Sequence, residues 1–346
     1  MNSTMNEQNL KLSVLDFVHV YKHSNSKESL KNTTEVVKLA DQLGYTRYLF
    51  TEHHNTTSQI STSPDLLSLH AASQSRHIRV GSGGVMLPNY SPLKVVENFT
   101  LLEALHPGRI DLGLGRASGT DGLTATALQV SRDDFSVQLN DLLSFFSRNF
   151  PEKHPYRRIK PPGDPTLVPE LYMLGSSQGG VQFAIERGLG FAFAAHLAPK
   201  LAVPILRSYR DNFVPSSYLK EPKSILTIAV ITAETDKKAK YLSGPLELMW
   251  ARMATGSADI SFPTLEEAAS HAYTHDEVRA KEYNSERFII GSIENVAKRL
   301  REKAKEARVD EIMIADFYPE QAARLKALEL LAREFGLNRQ EWKDAK

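Results

Sequence analysis

IRVGSGGVMLPNYSPLKVVENFTLLEALHPGRIDLGLGR, residues 78–116, contains one full cycle of the pattern on which the fold depends. Ile78–Gly83 is short and apolar and runs into glycine, as a buried strand does. Pro92–Leu105 places Val95, Val96, Phe99, Leu102 and Leu105 at helical spacing, with proline at its start and Pro107-Gly108 past its end. Ile110–Gly115 is a strand again. Outward from this segment the cycle recurs. Towards the N-terminus, Leu12–His19 and Tyr48–Thr51 read as strands, and Leu30–Leu43 and Pro64–Gln74 as helices. In Leu30–Leu43, Val36, Val37, Ala40 and Leu43 share one side and Gly44 stops the helix. Towards the C-terminus, strands are expected at Glu170–Leu174, Gly190–Ala195, Ile225–Ile231 and Glu311–Ala315. Helices are expected at Gly180–Arg187, Ala198–Asn212, Ile293–Ala307 and Glu320–Phe335.

Two stretches interrupt the alternation. Ala117–Pro169 reads as a loop to Ser131, a helix over Asp133–Phe150 and a proline-rich excursion that neither a helix nor a central strand would hold. Met253–Arg287 is polar and weakly patterned, as a mobile lid would be. Eight strand–helix units predict a parallel sheet with helices outside. A closed (β/α)8 TIM barrel is the simplest architecture: one domain over residues 1–346, enlarged by insertions near 117–169 and 253–287. A doubly wound open sheet has the same local pattern.

The 346 residues carry 42 basic and 41 acidic side chains, a formal charge of +1, which argues against a protein built to bind nucleic acid. Apolar residues at 41% and charged residues at 24% describe an ordinary globule with a sizeable core. Cysteine is absent, so disulfides, thiolate metal sites and cysteine nucleophiles are excluded, and a reducing cytoplasm is the expected setting. The start, MNSTMNEQNLKLSV, does not read as a signal peptide. The most apolar stretch, Gly188–Leu206, is broken by His196, Pro199, Lys200 and Pro204, so no membrane span is expected.

In a barrel, chemistry belongs at the C-terminal ends of the strands. Just past the strands stand Glu52-His53-His54, Gly81-Ser82-Gly83-Gly84, Gly113-Leu114-Gly115-Arg116, the Gly175–Gly180 segment GSSQGG, and His196. Gly83 and Gly84 would let a planar ring lie against backbone. Arg116, at the end of an apolar strand, calls for an anionic partner, a phosphate or a structural carboxylate. Ser176, Ser177, Gln178 and Gly179 lead into a helix whose free N–H groups suit an anion, although ordinary capping by serine looks the same. His53 is placed for hydrogen bonding or proton handling. His54 and His196 read equally well as structural. No metal site is expected, because adjacent residues on a strand point apart. Gly175-Ser176-Ser177-Gln178-Gly179 also matches the nucleophile elbow of α/β-hydrolases, with Ser177 as nucleophile, but the last histidine, His275, precedes the final strand. Gly113–Gly119 misses the dinucleotide fingerprint by one position.

With these residues in hand, the chain resembles the luciferase-like monooxygenase family. The carrying segments are Gly44–Asn55 (GYTRYLFTEHHN), Val80–Pro92 (VGSGGVMLPNYSP), Leu105–Arg116 (LHPGRIDLGLGR), Leu174–Leu189 and Phe288–Leu300, with Ser292-Ile293 where the family has Thr-Pro. The resemblance spans about Leu12 to Phe335. It implies a TIM barrel with FMN, or reduced FMN as co-substrate, at the C-terminal rim. By the same resemblance Arg116, Ser176, Ser177, Gln178 and Gly179 would hold the flavin phosphate. Gly83-Gly84 would lie against the ring, where the family often has a cis non-proline peptide. Glu52 would line the pocket and His53 would be the catalytic histidine. Gly180 stands where a hydroxyl residue often completes the phosphate grip. The implied reaction oxygenates a small organic substrate, such as an aldehyde, with O2. The electrons would come from a separate NAD(P)H:flavin reductase, and the chain would pair as a homodimer. Alternatives on the same barrel are an F420-dependent oxidoreductase and a flavin-binding protein without turnover; the serine hydrolase is a third.

Overall fold

The computed structural model describes residues 10–131, 133–256 and 261–338. In chain order the elements are β1 (Lys11–Asp16), α1 (Ser26–Leu43), β2 (Arg47–Phe50), α2 (Pro64–Ser73), β3 (Arg79–Met86), α3 (Pro92–Leu105), β4 (Ile110–Gly115), α4 (Gly122–Ala127), α5 (Phe135–Ser147), β5 (Glu170–Gly175) and α6 (Gln178–Arg187). There follow β6 (Gly190–Ala194), α7 (Ala202–Asn212), β7 (Ser224–Ala233), α8 (Asp236–Ala254), α9 (Leu265–Ser270), α10 (His275–Asn284), β8 (Phe288–Ser292), α11 (Ile293–Ala307), β9 (Glu311–Ala315) and α12 (Gln321–Glu334).

Every strand pairing is parallel. β1 to β7 run in sequence, β7 pairs β9, and β9 returns to β1, so eight strands close a ring. The barrel is therefore closed, and the open sheet is excluded. β8 is a ninth strand outside the ring, paired only with the C-terminal half of β7, Ala229–Ala233. Its five residues run straight into α11, so the sequence gives them no turn of their own. The helices cover the ring with the expected stripes: Val36, Val37, Ala40 and Leu43 of α1 are buried, as are Val95, Val96, Phe99 and Leu102 of α3.

Five expectations need correction. The first strand stops at Asp16 rather than His19, because Val18 takes a left-handed φ of 50° that breaks the ladder. Residues 117–131 are not all loop: Asp121 accepts from the amides of Leu123 and Thr124 and starts α4. The sixth helix begins at Gln178, two residues early, with Ser177 at its N-cap. Leu105, expected on the inward stripe of α3, is exposed as the last residue of that helix. The stretch 253–287 holds helices where described: α8 runs on to Ala254, and Thr264 and Thr274 start α9 and α10 with capping boxes to Glu267 and Glu277. Residues 257–260 of that stretch lie outside the described residues, as do Arg132 of the first insertion, the opening segment and the last eight positions.

The N-terminal end of the barrel is sealed by a buried charge layer. Arg47 Nε donates to Glu311 Oε1 at 2.6 Å, Arg47 Nη1 to Asp111 Oδ2 at 2.7 Å, and Ser13 Oγ to Glu311 at 2.6 Å. Each charge there has a partner, as burial demands. The opposite end is different.

Candidate active site

Past the C-terminal ends of β2 and β3 the chain is tied to one carboxylate. Glu52 is fully buried, and both its oxygens accept from protein donors: Oε2 from the Met86 amide at 2.9 Å, Oε1 from Asn89 Nδ2 at 2.7 Å and His54 Nε2 at 3.0 Å. Burial raises its pKa, and these three donors oppose that. The geometry makes Glu52 an organiser of the rim, with both oxygens engaged by protein donors. His54 donates to it and is held there.

Gly83 and Gly84 sit in β3 where its register against β4 shifts, and the peptide bond between them is cis. A Cβ on Gly84 would fall 2.7 Å from the carbonyl oxygen of Gly113. Glycine is required there by the neighbouring strand alone.

Arg116 leaves the end of β4 and lies over the start of α6. Its Nη2 is 3.4 Å from Ser177 Oγ, and a Cβ on Gly179 would meet Nη1 at 3.2 Å. The side chain is exposed, so it carries no burial penalty, and among the described residues it faces no carboxylate. Ser177 occupies the N-cap position of α6 without capping it through its side chain. The alternative of a plain serine cap therefore fails. What remains is a guanidinium, two hydroxyls and the free amides of a ten-residue helix, the chemistry of an anion cradle.

Across the mouth stands a cluster of rings. Phe17 is stacked on His53 (centroids 5.8 Å, 21°) and on His19 (5.6 Å, 18°), and packs on Phe317 at 4.5 Å. His196 meets Phe17 edge-on at 6.3 Å, and Phe262, from the second insertion, covers His19 at 4.9 Å. Burial pushes all three histidines down to about 4, the neighbouring His54 adding to the effect on His53. They are neutral rings at neutral pH. His53 Nδ1 lies 3.2 Å from the Thr51 hydroxyl, which serves as donor or acceptor, so either ring nitrogen can carry the proton. His53 Nε2 makes no hydrogen bond among the described residues. His19 Nε2 donates to the Asp316 carbonyl at 3.0 Å, and its buried Nδ1 has no partner.

Of the residues singled out from sequence, the structure thus gathers Arg116, Ser176, Ser177, Gln178 and Gly179 on one side of the rim and His53 and His196 on the other. His19, Phe17, Phe317 and Phe262 were missed. A signal existed: Asp16-Phe17 and Asp316-Phe317 are the same dipeptide just past strands β1 and β9. In each, the aspartate turns out to Arg324, and the phenylalanine turns in to the mouth. Ser177 has Arg116 beside it and no histidine, and the barrel is closed, so the α/β-hydrolase alternative is overturned. No group of three or more metal-ligating side chains occurs among the described residues. No helix among them is long and apolar enough to cross a membrane.

Comparison with known proteins agrees with the fold. The chain is 32% identical over 331 residues to a luciferase-like monooxygenase of Escherichia coli K12, covering 94% of this chain and 97% of that one. It is 33% identical over 237 residues to the N-acetyl-S-alkylcysteine monooxygenase of Bacillus subtilis, covering 67% and 70%. The crystal structure of apo-MsnO8 superposes with a TM-score of 0.87 at 31% identity, covering 97% of this chain and all of that one. The family model for luciferase-like monooxygenases matches residues 10–311, and the chain belongs to that family.

Proposed function

We propose that this monooxygenase-family chain uses reduced FMN and O2 to oxygenate a small organic substrate. The observation that carries this reading is the anion cradle at the rim: Arg116, without a carboxylate partner among the described residues, beside Ser177 at an uncapped helix start. These donors fit a flavin phosphate, held by Arg116, Ser176, Ser177 and the amides of Gln178 and Gly179. Gly83 and Gly84 would lie against the ring system. Bound reduced flavin supplies the electrons that activate O2.

The protein's part is positioning, water exclusion and one proton. His53 is neutral, and with Nε2 as its unprotonated nitrogen it would take a proton at that atom or orient an oxygen through it. Phe17, Phe317 and Phe262 exclude water around it. Glu52 fixes the backbone on which His53 stands. An aldehyde, or an S-alkyl compound of the kind the Bacillus relative's name describes, is a substrate of suitable size. A separate NAD(P)H:flavin reductase would supply the flavin in its reduced form. Pairing of two copies through the barrel helices fits the exposed Leu66, Leu101 and Leu105 on α2 and α3.

The test combines binding and isotope incorporation. FMN and F420 are titrated separately against the protein by fluorescence. The protein is then mixed with reduced FMN, aldehydes or thioethers, and 18O2. The reading expects FMN binding and substrate-dependent 18O in the organic product. Binding of F420 in place of FMN would overturn the cofactor, and FMN binding without label in any product would point to a flavin carrier.

A further inference from the structure

A second site lies outside the barrel ring, between α8, α10, β8 and α11. It is a cleft of about 580 Å³. Phe288, Ile290 and Val278 supply apolar surface. Around it stand three cations, Lys240, Lys281 and Arg299, against two carboxylates, Glu247 and Glu282. Glu247 is already committed: it pairs with Lys240, and its Oε2 lies 2.7 Å from Lys281 Nζ. Arg299 pairs with no carboxylate among the described residues.

Asn284 adds an independent observation. It is 4% exposed, it lines the cleft, and its Nδ2 has no acceptor. Its orientation is not arbitrary. Arg287 Nε donates to Asn284 Oδ1 at 2.7 Å, and only an oxygen can accept there, so the amide nitrogen is fixed as a buried donor. An unpartnered buried donor is costly unless something supplies an acceptor. Arg287 itself donates to the carbonyls of His196 and Leu197.

We propose that this cleft binds a small carboxylate with an apolar body, its oxygens on Asn284 Nδ2 and Arg299 and its body on Phe288 and Ile290. The site is separate from the cradle at Arg116, and its occupancy does not depend on the flavin reading.

Trp250 provides the reporter, since its ring packs on Phe288 at 5.7 Å. In a Trp342→Phe background it is the sole tryptophan. Benzoate is titrated while tryptophan fluorescence is followed, with acetate and benzyl alcohol as the probes lacking the apolar body or the charge. A saturable change with benzoate, weaker with both comparison probes, is expected. Asn284→Asp keeps the acceptor for Arg287 but replaces the donor with negative charge, and Arg299→Gln removes an exposed cation. Each should weaken benzoate by about tenfold or more, with the circular dichroism spectrum and FMN affinity unchanged. Absence of a saturable benzoate response, or equal benzoate affinity in the parent and both variants, would overturn the site.

Discussion

In the proposed reading Arg116 serves binding and His53 serves chemistry, and single substitutions should separate them. Arg116→Ala removes the guanidinium beside Ser177. Charge-assisted hydrogen bonds contribute about 1.5–3 kcal/mol, so FMN affinity should fall by about ten- to a hundredfold. Fluorescence titration checks it, and unchanged affinity would move the phosphate elsewhere. His53→Ala should leave FMN affinity nearly intact and lower turnover by about 10²–10⁴, the usual worth of a placed proton carrier. Lost binding with that variant would make His53 a structural residue. Both residues could be singled out from sequence because an arginine or a histidine at the end of an apolar strand needs a reason. His19 could not, because a histidine three positions past a strand has the same sequence signature whether its ring meets solvent or a phenylalanine. Glu52 was legible as a site residue but not as an organiser, since its three donors come from Met86, Asn89 and His54 on different segments.

The elements meet at the rim through two matching strand ends. Asp16 and Asp316 both face Arg324 of α12, with Arg324 Nη2 2.8 Å from Asp16 Oδ2. Arg324 holds the Asp16 carboxyl below the usual range against the effect of burial. Asp16 also accepts from the Val18 amide at 2.7 Å and from Thr33 Oγ1 at 2.9 Å, so it fixes the turn that carries Phe17 and His19. Removing one partner of a buried pair costs about 3–5 kcal/mol. Asp16→Ala should therefore lower stability by about that amount, read as a drop in the urea midpoint. A loss under about 1 kcal/mol, the range of exposed pairs, would show the network to be solvated. At this scale the sequence was legible where periodicity ran long, as in α1 and α3. It was opaque where Gly244 and Pro245 interrupt the pattern of the 19-residue α8, and where an element is short and its partner distant: β8 is defined by β7, and α4 by the single cap at Asp121.

For the molecule as a whole, the alternation of strands and helices was enough to draw the barrel, and one end of it could be assigned to chemistry. Which neutral rings fill that end depends on closure, which brings β1, β2, β6 and β9 together, and no local pattern encodes that. Closure also sets the pH response. His19, His53 and His196 have folded pKa values of about 4, against about 6.5 in an unfolded chain. Between those values the unfolded chain binds protons that the folded barrel refuses. Stability therefore rises with pH through that window, and is lost as pH falls from about 6.5 to 4. Each ring contributes about 1.4 kcal/mol per pH unit within it. The paired carboxylate Glu170, with its pKa lowered to about 2, acts in the same direction only below about pH 4.5, so the upper part of the window belongs to the histidines. Urea unfolding at pH 7.5 and pH 5.5 should give a clearly lower midpoint at pH 5.5. Equal midpoints would mean that the three rings are solvated and titrate normally, and the mouth of the barrel would then be open to water rather than closed by Phe17, Phe262 and Phe317.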